Sequence, residues 1–82
     1  MNLSEFRYQM LERGWMNKKE LATFTGLGRK KAEKLFQLIL IDQEKEGIER
    51  IDGNIVLTKR VLIYCGLTEK KVIDAYFRKL KS

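Results

Sequence analysis

The segment from Asn17 to Leu35 constrains the fold most, because it spaces small and apolar residues as two short helices joined by a tight turn require. Ala22 falls where the first of these helices would meet the second, and Gly26 falls in the turn. Ala32 and Leu35 lie one helical turn apart on the second helix. We expect small residues at positions 22 and 26 because the two helices pack closely there. The segment therefore predicts a helix-turn-helix.

Capping residues set the expected helix ends. Ser4 is expected to cap a first helix over about residues 5 to 13, which ends at Gly14. Asn17 followed by Glu20 has the spacing of a capping box, which predicts a second helix over about 18 to 24.

The third predicted helix runs from about Arg29 to Glu46 and stops at Gly47. Helical periodicity puts its apolar residues on one face, namely Ala32, Leu35, Phe36 and Ile39. The opposite face carries Lys30, Lys34 and Gln37. Beyond Leu35 the helix is apolar almost all round, so we expect the C-terminal helix or a second subunit to cover it.

A hairpin is predicted from Ile48 to Leu57, because two short β-branched runs flank Asp52-Gly53-Asn54. Directly after a recognition helix, such a hairpin would be a wing. Thr58 is expected to cap a helix over about 59 to 65 that Gly66 closes, and Thr68 to cap a final helix over about 69 to 80. The predicted fold is mainly α with a small β-hairpin: a winged helix-turn-helix with an extra C-terminal helix. A single domain over residues 1–82 would hold the helix-turn-helix at about 17–46, the wing at about 48–57 and the C-terminal helices at about 59–80.

The net charge of +6 is distributed unevenly along the 82 residues. Residues 17 to 34 hold six bases against two acids, whereas residues 42 to 49 hold four acids against one base. A regional excess of this kind favours a polyanionic partner over a uniformly solvated surface. We therefore expect double-stranded DNA to be the partner.

If the third helix is a recognition helix for DNA, Arg29 and Lys30 lie at its start and are expected to contact bases. The contact we favour is Arg29 with guanine. The alternative for Arg29 is an ion pair with Glu33 four residues on. Lys18 and Lys19 are better placed to meet phosphates. The full set of expected DNA-binding residues is Lys18, Lys19, Gly28, Arg29, Lys30, Lys31, Lys34, Gln37, Arg50, Asn54, Lys59 and Arg60.

The sequence has few of the features that are typical of enzymes or metal-binding proteins. The chain has no histidine and one cysteine, Cys65, which excludes an internal disulfide and a Cys/His zinc site. No glycine-rich phosphate loop follows a strand, and no acidic cluster has ligand spacing. We expect no enzyme activity, catalytic residue, metal or cofactor. The sequence shows no leader and no apolar stretch near 18 residues, so we expect a cytoplasmic protein without a membrane partner.

Two other interpretations remain open. The run from Leu21 to Leu35 resembles a helix-hairpin-helix, whose Gly26-Leu27-Gly28 loop would bind one phosphate without reading sequence. Thr25 stands where that motif commonly has proline, and a hairpin follows where a second motif is usual. A protein-interaction module is the other alternative, with homodimerisation through the C-terminal helix and the apolar half of the third helix.

The stretch from Lys18 to Leu67 also resembles a known family. It combines Lys-Lys-Glu-Leu at 18–21, Thr-Gly-Leu-Gly at 25–28, Ala-Glu-Lys-Leu at 32–35 and Cys-Gly-Leu at 65–67. This order is similar to small proteins of Gram-positive integrative elements that are excisionase-like, with a winged helix related to the MerR DNA-binding domain. The resemblance implies an accessory factor in DNA recombination that bends DNA and works with a tyrosine integrase of a mobile element. The alternative role is a small transcriptional regulator.

Overall fold

A computed structural model describes residues 2–47 and 55–81 of the chain. Within these ranges the protein is mainly helical, with a small two-stranded antiparallel sheet. In chain order the elements are α1 (Leu3–Arg13), β1 (Trp15–Asn17), α2 (Lys18–Thr25), α3 (Arg29–Lys45), β2 (Ile55–Leu57), α4 (Thr58–Cys65) and α5 (Glu69–Lys81). All five helices of the described ranges lie where the sequence predicts them, within two residues at each end.

The first helix begins earlier than predicted, and its cap is Asn2, not Ser4. The side-chain oxygen of Asn2 accepts a hydrogen bond from the Glu5 amide at 2.8 Å. Ser4 lies inside α1, so its assignment as the cap was wrong. Gly14 ends the helix in the left-handed conformation, as expected, with φ of 87°.

The predicted capping box of α2 is confirmed and is also tied to α1. Asn17 accepts from the Glu20 amide at 2.8 Å, and the Glu20 carboxylate accepts from the Asn17 amide at 3.0 Å. The same carboxylate pairs with Arg13 at the end of α1, and this hydrogen bond lowers the pKa of Glu20. A local cap thus doubles as a tertiary contact between the first two helices.

Gly26 ends α2 in the left-handed conformation, with φ of 73°. A Cβ atom at this position would have no other atom within 4 Å. The expectation that close helix packing requires a glycine here was therefore wrong. The backbone conformation is what favours glycine.

The sheet joins two segments that are far apart in sequence. β1 and β2 run antiparallel, and Met16 lies opposite Val56. The sequence predicts the second of these strands but not the first. The proposed hairpin partner, residues 48–54, lies outside the described residues.

Thr58 holds α4 to α1 instead of capping α4. Its hydroxyl donates to the Met10 carbonyl at 2.9 Å, and its amide donates to the Gly14 carbonyl at 3.0 Å. Leu57 occupies the cap position of α4, without a side-chain hydrogen bond. The predicted cap at Thr68 is confirmed, because its hydroxyl accepts from the Lys71 amide at 3.2 Å.

The core is formed by α1, α2, α3, the sheet and α4, with Val72 of α5 at its edge, and its fully buried side chains include Met16, Leu21, Phe24, Ile39 and Val56. The final helix packs mainly on α1, where Tyr8 and Tyr76 stack with ring centroids 4.1 Å apart. The expectation that this helix covers the second half of α3 was therefore wrong. Among the described helices, none is both long and apolar enough to span a membrane.

Candidate nucleic-acid interface

The third helix presents a polar row to solvent because its opposite face is buried in the core. Ala32, Phe36 and Ile39 are at most 3 % exposed. Lys30, Lys34 and Gln37 are exposed, as helical periodicity predicts. Leu35, expected on the buried face, is half-buried. The row Lys30-Lys34-Gln37 is called the polar row below.

A cleft beside the polar row brings cations from both helices together. It has a volume of about 280 Å³ and is lined by Lys18, Lys19 and Arg29 over a floor of Ala22 and Ala32. The small floor residues let the first turns of α2 and α3 share one concave surface. The sequence suggests phosphate contacts for Lys18 and Lys19 and a base contact for Arg29, and the structure brings all three to one cleft.

Glu33, the partner considered for Arg29, pairs instead with another cation of this cleft. Glu33 forms its ion pair with Lys18, at 3.8 Å between Nζ and Oε1, and both side chains are more than half exposed. Such an exposed pair contributes little free energy. The alternative pairing of Arg29 with Glu33 is not formed, and Arg29 is exposed at the first position of α3.

Gly28 precedes α3 and provides no side-chain cap. The first amide groups of α3 therefore have no partner from the capping side chain, and they lie at the positive end of the helix dipole. Lys31, on the same first turn, is exposed. This end of the helix is electrostatically suited to an anionic oxygen.

The remaining sequence-predicted residues lie elsewhere. Arg60 is largely buried, and its guanidinium pairs with Asp42 at 3.9 Å and with Glu46. Tyr64 also donates to Asp42, at 3.1 Å. Arg60 therefore links α4 to the end of α3, whereas Lys59 is exposed at the start of α4. Arg50 and Asn54, expected in the wing, lie outside the described residues.

A groove continues the polar row along the apolar second half of α3, which the sequence predicts the C-terminal helix or a second subunit to cover. Leu38 and Ile41 are 54 % and 49 % exposed, and they line a groove of about 550 Å³ with Lys30, Glu33, Lys34 and Gln37. The excess of apolar residues beyond Leu35, more than one buried face can accommodate, is the sequence signal for this surface, but Leu38 and Ile41 are not among the expected DNA-binding residues.

Chemically, this surface can bind anions and form hydrogen bonds to base edges or carbonyl groups. Among the described residues, no three histidine, cysteine or acidic side chains come together as a metal site. Cys65, at the end of α4, is partly buried against the core, and this burial raises the pKa of its thiol. No family model, curated protein or solved structure matches this chain.

Proposed function

We propose that the protein binds duplex DNA sequence-specifically, with α2 and α3 as a helix-turn-helix and α3 as the recognition helix. The observation that supports this most is the polar row of α3, which stands opposite a fully packed face. A helix so anchored presents lysine and glutamine side chains outward in a fixed register. The major groove of B-DNA admits an α-helix of this kind.

In this arrangement the N-terminal turn of α3 approaches the bases. Arg29 and Lys30 are the residues closest to that end, and both have the chemistry to donate to guanine. Lys34 follows one turn later. Gln37 follows two turns after Lys30, and its amide can pair with adenine.

Phosphate contacts come from the cleft beside the row. Lys18 and Lys19 lie in the first turn of α2 and line this cleft. The first backbone amides of α3, which no side chain of Gly28 caps, offer further donors. These lysines and amides add affinity and fix the orientation of α3 on the duplex, but they do not distinguish one base sequence from another. Arg60 is left out of the proposed interface because two carboxylates already neutralise it.

For the biological role, we propose an excisionase-like accessory factor that acts beside a tyrosine integrase, with a small transcriptional regulator as the alternative. Both roles use the same surface on α2 and α3. The adjacent genes distinguish them, since an integrase gene supports the first role and an isolated operon supports the second.

The test compares Arg29→Ala with the parent protein on two duplexes, one selected from a random pool and one of scrambled sequence. If Arg29 reads a base, the substitution costs about 1 to 3 kcal/mol on the selected duplex and little on the scrambled one. Fluorescence anisotropy at one fixed salt concentration measures both. Lys70→Ala, which removes an exposed lysine of α5, is the matched control and leaves both affinities nearly unchanged.

Equal losses on the two duplexes would instead make Arg29 a phosphate contact, as in the helix-hairpin-helix alternative. No complex with either duplex at moderate salt, together with a co-purifying protein, would refute DNA binding and favour the protein-interaction alternative.

A further inference from the structure

We propose that Leu38 and Ile41 read thymine methyl groups in the same major groove that receives the polar row. This inference rests on the proposed function and extends it, because it assigns a base class to the C-terminal half of α3. The two side chains are about half exposed, whereas the other apolar side chains of this half, Phe36, Ile39 and Leu40, are buried.

The position of the two residues makes them a continuation of the polar row. On an α-helix, Lys30, Lys34, Gln37 and Ile41 follow the i, i+4, i+7, i+11 spacing of a single stripe. Leu38 lies beside this stripe, and all five residues line the same groove. A ligand that contacts Lys34 and Gln37 therefore extends onto Leu38 and Ile41.

The charges around this groove favour DNA over an apolar protein partner. Lys30 and Lys34 stand along the apolar pair, with Glu33 on one side. An apolar protein surface would bury these ammonium groups without partners, which is costly. The major groove instead offers phosphates and base acceptors to the lysines, and thymine methyl groups to Leu38 and Ile41.

The helix length then predicts where the thymines lie. Leu38 and Ile41 are eight and eleven residues beyond Lys30, which corresponds to about 12 to 16 Å at 1.5 Å per residue. With about 3.4 Å per base pair along a strand, this distance corresponds to roughly three to five base pairs. For a helix that follows the groove, the thymines are thus expected about three to five base pairs from the base that Arg29 or Lys30 contacts.

The experiment replaces each thymine of the selected duplex in turn with deoxyuridine, which removes only the 5-methyl group. For the parent protein, at least one replacement in the predicted window weakens binding about fourfold, the usual effect of losing one buried methyl-sized group. Leu38→Ala or Ile41→Ala abolishes this difference between thymine and deoxyuridine. Leu80→Ala, which truncates a 62 % exposed leucine of α5, is the matched control and preserves it.

The outcomes separate this inference from the function on which it rests. Tight, sequence-specific binding without any deoxyuridine effect refutes methyl reading and leaves the DNA proposal intact. An effect that persists in both alanine variants refutes the assignment of Leu38 and Ile41. A dimer in sedimentation that Ile41→Ala dissociates, with unchanged DNA affinity, assigns this face to a second copy of the chain instead. Failure to select any duplex refutes the DNA proposal itself.

Discussion

At the residue scale, Thr58 shows how a single side chain can act between elements. Its hydroxyl donates to the Met10 carbonyl, which also accepts from the Gly14 amide at 2.9 Å. The Met10 oxygen would therefore keep one hydrogen bond if the hydroxyl were lost. The residue is 1 % exposed, so water does not replace the missing donor.

We expect Thr58→Val to lower the free energy of unfolding by about 1 kcal/mol, the net value of one hydrogen bond, because valine preserves the shape and Met10 is not left unpaired. Urea denaturation measures the difference. Thr23→Val is the control, since the Thr23 hydroxyl is exposed and donates within its own helix to the Lys19 carbonyl. Equal destabilisation by the two substitutions would contradict a tertiary role for the Thr58 hydroxyl.

Gly26 provides a test of backbone conformation against side-chain packing. Its φ of 73° costs an alanine about 1 to 2 kcal/mol, although a Cβ atom would touch nothing. Asparagine tolerates this conformation better. We therefore expect Gly26→Asn to destabilise the protein less than Gly26→Ala in thermal or urea unfolding. The reverse order would mean that the space at the turn limits the side chain, as the sequence had suggested.

At the element scale, the sequence predicted what local chemistry determines. The capping box at Asn17 and the glycines at 14, 26 and 66 act within a few residues, so the start of α2 and the C-terminal ends of α1, α2 and α4 could be predicted. The strand β1 could not, because Trp15–Asn17 is extended through pairing with a segment about 40 residues away. The cap at Thr68 predicted the start of α5 but not that this helix would pack mainly on α1.

In the candidate site, too, the features that one helix determines could be predicted, and those that depend on helix packing could not. Helical periodicity alone predicted that Lys30, Lys34 and Gln37 face outward, since one helix fixes their relation to the buried Phe36. The cleft on α2 and α3 depends on how two helices cross, and it required coordinates. The role of Arg60 could not be predicted from sequence because its partners lie far away along the chain, Asp42 in α3 and Glu46 just after it.

At the scale of the whole molecule, basic and acidic side chains lie at opposite ends of α3. Six exposed bases lie on α2 and the first half of α3, namely Lys18, Lys19, Arg29, Lys30, Lys31 and Lys34. Asp42 and Glu46, at the other end of α3, are engaged by Arg60. This end of the helix pair thus carries a local excess of positive charge, six bases against Glu20 and Glu33, which the acidic run at the other end of α3 does not cancel.

This concentration predicts the salt dependence of the complex. If the complex neutralises about six phosphates, the logarithm of the association constant should fall with the logarithm of salt concentration at a slope near −5, from about −0.9 per contact. The double variant Lys18→Ala/Lys19→Ala, which removes two proposed phosphate contacts, should reduce the slope by about 2. Lys70→Ala/Lys71→Ala removes the same net charge from α5 and should leave the slope unchanged, because its lysines lie outside the proposed interface. Anisotropy titrations at four or more salt concentrations measure all three slopes. Equal reductions in the two double variants would show that net charge, and not the surface on α2 and α3, governs binding.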